Sequence, residues 1–402
     1  MLAIRSHRLI DGTGRPALEH AVVLVEGDSI AAVGRAQDVH IPPGAEVIDV
    51  GDETLLPGLI DAHGHLVITH EDPRSTLEQV QDPEPIKYLR AVQHVRRKLL
   101  SGITTMRVMS EHNFMDAYVR LGIERGYVPG PRLITGGKGI RTSHGHGVLG
   151  TPFDGVDAVR AAVRENLRMG AEFIKIYITN GLFQVYASQG VPHARARTIP
   201  HYMSEEEIRT AVDEAARLGR RVAAHALGGQ GLNVGLRAGI STVEHGWFLD
   251  EENVELMVKH GAYLVGTVGL LAMRSKLPDP EEQRRRDENM REIRALVREC
   301  QWRAVEAGVK YVLGSDDAGI GLMGEVRMLT DFGMAPMDLI VAGTEHAAGA
   351  CGWPERIGTL EPGKLADIIS VRGNPLQRVE ALGDVHLVMK AGQRDDTRLS
   401  VQ

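Results

Sequence analysis

Eight short apolar runs, rich in β-branched residues and separated by stretches of helical periodicity, constrain the fold of this chain more than any other feature. They are GLIDAHGHL, GITTMRVM, RLITGGKG, FIKIYIT, RVAAHAL, STVEHG, AYLVGTV and YVLGSDD, spread from residue 58 to residue 317. Strands buried on both faces of a parallel sheet read as near-continuous apolar runs, and crossover helices between them repeat every 3.6 residues. The clearest helical stretch is SEEEIRTAVDEAARLG. Ser204 is its N-cap, Glu207 completes a capping box, Ile208, Val212 and Ala215 share one face, and Gly219 ends it. In DAVRAAVRENLRMG, Val159, Val163 and Leu167 recur at the same spacing. The alternation predicts an α/β chain whose centre, residues 57–359, is a (β/α)8 TIM barrel with its chemistry at the C-terminal strand ends.

The two ends of the chain read differently. AVVLVEGDSIAAVG is two apolar runs around Gly27 and Asp28, a hairpin signal, and HRLIDGTG, AEVIDV, ADIISVRGNP and VHLVMKAGQ are short strands broken by Gly, Asp and Pro. Residues 1–56 and 360–402 are therefore expected to form one small composite β-sandwich built from both termini, consistent with a length of 402 residues, more than one core usually serves. A net charge of -7 excludes a basic nucleic-acid footprint. No run is long enough to span a bilayer, and MLAIRSHRLIDG lacks a signal-peptide core, so the expected location is cytoplasmic with no membrane partner. Two cysteines, Cys300 and Cys351, fit a reducing compartment and read as buried small hydrophobes. The charge-dense residues 276–294 read as a solvated helix or helical hairpin rather than a binding tail.

Against this frame six polar residues stand out. His63 and His65 sit one residue apart at the end of the first run, where strand alternation points both the same way. They could grip a metal, or they could be two exposed loop histidines. Lys175 interrupts the apolar fourth run, where a buried amine needs a partner. A salt bridge would serve. His225 ends the fifth run, His245 the sixth and Asp316 the eighth. Alone, His225 could be a core histidine and Asp316 a turn cap. Together, at the strand ends where a barrel converges, the six predict a metal centre.

The order His-x-His, Lys, His, His, Asp on strands one, four, five, six and eight resembles the amidohydrolase superfamily in its binuclear form. LLPGLIDAHGHL, VEHG, GSDD and IGTLEPGKLADIISVRGNPL agree with it. The nearest branch is similar to Xaa-Pro dipeptidases, related metallo-carboxypeptidases and imidazolonepropionase-like proteins. The resemblance implies two divalent ions, zinc by donor chemistry, one held by His63, His65 and Asp316 and the other by His225 and His245. It implies a carboxylated Lys175 bridging them. It further implies hydrolysis of an amide C–N bond by a metal-bridging hydroxide, with Asp316 relaying the proton and His146, from the turn RTSHGHGVLG, helping to hold the oxyanion. A small-molecule substrate and a homo-oligomer are the corresponding partners.

Substrate contacts are expected from His144, Tyr177, Leu227, Trp247 and Arg197, the last on a long connection, residues 180–203, that reads as a lid or as a surface excursion. Two departures from the branch pattern make the pocket less polar. Leu227 stands where an aromatic hydroxyl is usual, and AGIGLMGE replaces a His-Gly pair. An apolar amide, a carbamate or a lactone gains weight accordingly, with Phe248, Leu270, Leu271 and Met323 as further wall candidates. Phosphoester hydrolysis and a cyclic-imidate hydrolase or deaminase are the alternatives within the superfamily. A non-catalytic scaffold is disfavoured because no ligand of the pattern is missing.

Overall fold

The computed structural model describes residues 1–181, 199–272, 279–319 and 321–395. Each of the eight apolar runs contains a strand: Leu59–Gly64, Ile103–Val108, Arg132–Thr135, Phe173–Tyr177, Arg221–Gly228, Thr242–Phe248, Tyr263–Val265 and Tyr311–Val312. Their pairings are parallel. The third run is split. The chain leaves the sheet at Gly136 and Gly137, the latter at φ 68°, and re-enters as Gly139–Arg141 beside the fourth strand. The first three strands form one sheet and the other five, joined by Gly139–Arg141 and Gly150–Pro152, form a second. Backbone hydrogen bonds join the two sheets. Ala62 N donates to Leu313 O at 3.1 Å, Asp316 N to His63 O at 2.7 Å, and Glu172 N to Thr135 O at 2.8 Å.

A helix follows each strand in turn: Glu84–Leu100, Met115–Glu124, Val156–Arg168, Glu205–Ala216, Gly229–Ala238, Glu251–His260, Pro280–Glu306 and Met323–Phe332. The predicted capping box at Ser204 and Glu207 is present, with Glu207 accepting from Ser204 N at 2.8 Å. This helix ends at Ala216, before the expected Gly219, which at φ 65° closes the following turn. From Pro280 onward the charge-dense stretch is part of one helix of 27 residues, Pro280–Glu306, rather than a hairpin. Its first turns are largely exposed, and it buries Ile293, Val297, Cys300, Gln301 and Ala304 at helical spacing. Cys300 is buried but Cys351 only half-buried, and burial pushes both thiols up to about 11, so neither is a thiolate at neutral pH.

Strands from both ends of the chain share one eight-stranded sheet. Thr54–Pro57 sits between Leu2–Leu9 on one side and Ile368–Val371 on the other. The expected hairpin joins Leu18–Glu26 to Ser29–Arg35 with Glu26 opposite Ser29, and Gly27 takes the positive φ, 62°, that such a two-residue turn needs. Ile4, Val23, Leu55, Ile368 and Met389 pack together on one face of this sheet. Among the described residues no helix is long and apolar enough to cross a membrane. Because the central strands are parallel, their C-terminal ends lie on one side, and all six singled-out polar residues belong to that side.

Candidate metal centre

Asp316 is the hub. Its Oδ1 lies 3.2 Å from His63 Nε2 and 3.1 Å from His65 Nε2, and its Oδ2 lies 3.9 Å from His245 Nδ1. His63, His65 and Asp316 each offer a ligand atom, all within 4.8 Å of one another, and so could hold a metal ion. Ring centroids continue the cluster: His65 to His63 5.6 Å, His63 to His245 5.1 Å, His245 to His225 4.6 Å and His225 to His146 4.6 Å. Lys175 Nζ stands over the Tyr177 ring, 5.1 Å from its centroid, and that ring is 5.6 Å from His225. All six residues of the pattern are thus in one place, and all but Asp316 are buried.

Apart from the contacts to Asp316, three of the four imidazoles have one nitrogen hydrogen-bonded by the described residues. His63 Nδ1 meets Glu244 Oε2 at 2.7 Å, His245 Nδ1 meets Thr267 Oγ1 at 2.7 Å, and His225 Nε2 meets the carbonyl of Asn180 at 3.2 Å. The fourth, His65, has Nδ1 3.9 Å from Glu111 Oε1. Fixing one ring nitrogen in this way orients the ring and leaves the other nitrogen to a ligand. The backbone is set as tightly. His245, Thr267 and Asp316 have φ of 74°, 49° and 51°, left-handed values that cost a non-glycine residue about 1–3 kcal/mol each and persist only where surroundings enforce them.

Electrostatics favour neutral forms of three of the imidazoles beside a carboxylate. Burial lowers His65, lowers His225 well below the usual range and takes His245 down to about 3. Burial also opposes charge on His63, but Asp316 and Glu244 outweigh it and raise its pKa. Burial would raise Asp316, yet the histidines around it hold it well below the usual carboxylate range. Lys175 is pushed down by burial to about 8, and its Nζ has no hydrogen-bond partner among the described residues. A fully buried amine without a partner is costly. A group that consumes it would remove that cost, so the residues present fit a metal pair with a carboxylated lysine.

The remaining expected residues fall around this cluster. His146 packs on His225 and Tyr177, and Gly181 is a glycine because a Cβ there would lie 2.5 Å from the His146 ring. Tyr177 is buried and its hydroxyl is 2.7 Å from Ser110 Oγ, so it supports His146 and His225 from below. Leu227 and Trp247 are almost fully covered, and Trp247 donates its indole N–H to Gly266 O at 2.7 Å. His144 stacks edge-on against Tyr202 at 5.2 Å. Met323 packs against Gly383, beside the 379–383 turn. Arg197 lies outside the described residues, as does most of the 180–203 connection.

Behind these residues lies a further layer of buried polar groups. Arg107 donates to Ala62 O at 2.7 Å and Glu244 Oε1 at 2.9 Å, and so fixes the carboxylate that holds His63. Lys98 Nζ contacts Asp61 Oδ2 and Ser315 Oγ, both at 2.7 Å, while Asp61 Oδ1 accepts from His63 N and Ser315 N. Asp317 accepts from Thr69 Oγ1 and from His70 N, folding the loop after the first strand over the eighth. Arg107 carried a readable signal, a charge within an apolar strand, the same signal that marked Lys175.

Comparison with known proteins agrees with this geometry. The chain is 27% identical over 407 residues to the ochratoxinase of Aspergillus niger, covering 92% of this chain and 81% of that protein. It is 26% identical over 377 residues to the imidazolonepropionase of Erwinia tasmaniensis, covering 88% and 86%. The crystal structure of the A. niger ochratoxinase superposes with a TM-score of 0.84 at 26% identity, over 98% of this chain and 95% of that one. A Xaa-Pro dipeptidase crystallised with methionine in its active site gives 0.82 at 28% identity, over 98% and 99%. A family model described as the amidohydrolase family matches residues 54–394. The chain belongs to the amidohydrolase family and is a hydrolytic enzyme.

Proposed function

We propose that this hydrolase is binuclear and cleaves an amide C–N bond of a small molecule, a dipeptide or an N-acyl amino acid. The observation that carries the reading is Lys175, a fully buried amine with no hydrogen-bond partner among the described residues, set among four imidazoles and the Asp316 carboxylate. His63, His65 and Asp316 would hold one cation, His225 and His245 would hold the other, and Lys175, once carboxylated, would supply oxygen donors to the pair. Nitrogen and oxygen donors suit zinc. Two divalent ions there would acidify the attacking water and polarise the scissile carbonyl.

The chain's own residues do the rest. Asp316, an anion held between His63 and His65, takes the water's proton and passes it to the leaving nitrogen. His146, stacked on His225, donates to the developing oxyanion. His144, Leu227 and Trp247 line the approach, with Tyr177 as the floor. In this reading residues 57–359 form a single closed (β/α)8 barrel, joined where Ala62 and Asp316 bond across from the first strand to the eighth. Residues 1–56 and 360–402 form the composite β-sandwich. The enzyme works in the cytoplasm as a homo-oligomer.

The names of the relatives, an ochratoxinase and a Xaa-Pro dipeptidase, support an amide-type substrate. The test is a screen of zinc- and cobalt-loaded protein against N-acyl amino acids, dipeptides, carbamates, lactones and aryl phosphoesters. Turnover of amides that is abolished by a chelator is the expected result. Turnover confined to lactones or phosphoesters would overturn the amide assignment while leaving the metal pair intact.

A further inference from the structure

Beneath the proposed ligand His245 lies a chain of buried polar groups that the proposed reaction does not use. Gln301, on the long helix Pro280–Glu306, donates its side-chain N–H to the backbone carbonyl of His245 at 2.7 Å. Its Oε1 is 3.3 Å from Tyr311 Oη, and Tyr311 Oη is 2.8 Å from Glu325 Oε1. The other oxygen of Glu325 accepts from Gly269 N at 2.6 Å. Gln301 and Glu325 are each 1% exposed and Tyr311 is 4% exposed. Burial pushes Glu325 up to about 7, so its protonated form can donate to Tyr311 and leave the phenol proton for Gln301.

The far end of this chain returns to the same histidine. The segment after the seventh strand carries Thr267, whose hydroxyl holds His245 Nδ1 at 2.7 Å. That segment is pinned on both sides of Thr267. At Gly266 a Cβ would lie 1.7 Å from Tyr311 Oη, so the phenol sits directly against the backbone there. At Gly269 a Cβ would lie 2.7 Å from Glu325 N, so the backbone of the helix carrying Glu325 packs directly on the segment. One buried network thus grips the His245 carbonyl and also seats the threonine that holds its ring, at two residues whose φ, 74° and 49°, will not persist unsupported.

We infer that Gln301, with Tyr311 and Glu325 behind it, is the positioning residue for His245, and that it sets the affinity of the second metal ion without contacting it. The inference rests on the metal reading above. It is specific in a way general packing is not. His63 is held by Glu244 and Asp61, Asp316 by its own N–H on the His63 carbonyl, and His65 by Asp316, so loss of Gln301 should weaken one metal site and spare the other.

The test is titration of metal-free protein with Co2+, read by its visible absorption and by chelator competition, for the wild type, Gln301→Met and Tyr311→Phe. The wild type should bind about two equivalents. Gln301→Met should keep the tighter site unchanged and lose about 10- to 100-fold in affinity at the weaker one, as supporting partners of metal ligands typically do. Tyr311→Phe, a smaller change that keeps the core filled, should move the same site in the same direction and carries the test if Gln301→Met does not fold. Two unaltered affinities in a folded variant, or equal weakening at both sites, would overturn the inference alone. A wild type that binds no cobalt would overturn the metal reading with it.

Discussion

Asp316→Asn should lower the rate of hydrolysis by about 10²- to 10⁴-fold, the contribution a positioned acid–base group makes. Asparagine is the informative replacement. It keeps an oxygen where Oδ1 meets His63 and His65, and it tolerates the left-handed backbone, φ 51°, that position 316 adopts. The variant should therefore fold and retain its metal while losing the group that carries the proton. Paired measurement of turnover and bound metal separates the two roles. Undiminished turnover would remove the relay assignment, and loss of metal would show that the carboxylate charge serves binding first.

Removing the cation beneath the centre should have the largest effect on stability. Arg107 and Glu244 are both buried and joined at 2.9 Å, with the Glu244 carboxylate shared by His63. Arg107→Met leaves that carboxylate without its cation, and breaking one half of a buried pair costs about 3–5 kcal/mol. Arg107→Met/Glu244→Met removes the stranded charge as well and should recover much of the loss, although His63 then lacks its anchor and activity should not return. Denaturant midpoints for the two singles and the double give the coupling energy. A single variant within about 1 kcal/mol of wild type, or simple additivity, would contradict the view that Arg107 neutralises Glu244 inside the sheets.

The course of the chain was legible because parallel strands buried on both faces announce themselves as apolar runs. The same property exposed Lys175: in FIKIY every residue is buried, so its one cation had to be doing something. ITTMRV is equally buried and holds Arg107. Glu244 is not legible in this way. Strand alternation puts Glu244 and His245 on opposite faces, yet both serve the same centre, because the left-handed turn of the backbone at His245 breaks the alternation. No periodic pattern encodes that turn. The stretch AGIGLMGE reads in sequence as a less polar pocket wall. In the structure Gly269 permits close contact with the backbone of Gly324 and Glu325, and Glu325 faces inward to Tyr311, an interior role that depends on a partner segment far away in sequence. His146 was legible only through the family pattern, since a Gly-rich turn gives no direction to its side chains until Tyr177 and His225 pack against it.

The central claim is that the buried amine at position 175 is one member of a two-cation centre. Metal content of the purified protein, prepared with zinc and bicarbonate and counted by elemental analysis beside Lys175→Ala, addresses it directly. The account predicts about two ions per chain in the wild type and at most about one in the variant. A wild type without metal, or a Lys175→Ala protein that still holds its full complement, would contradict it.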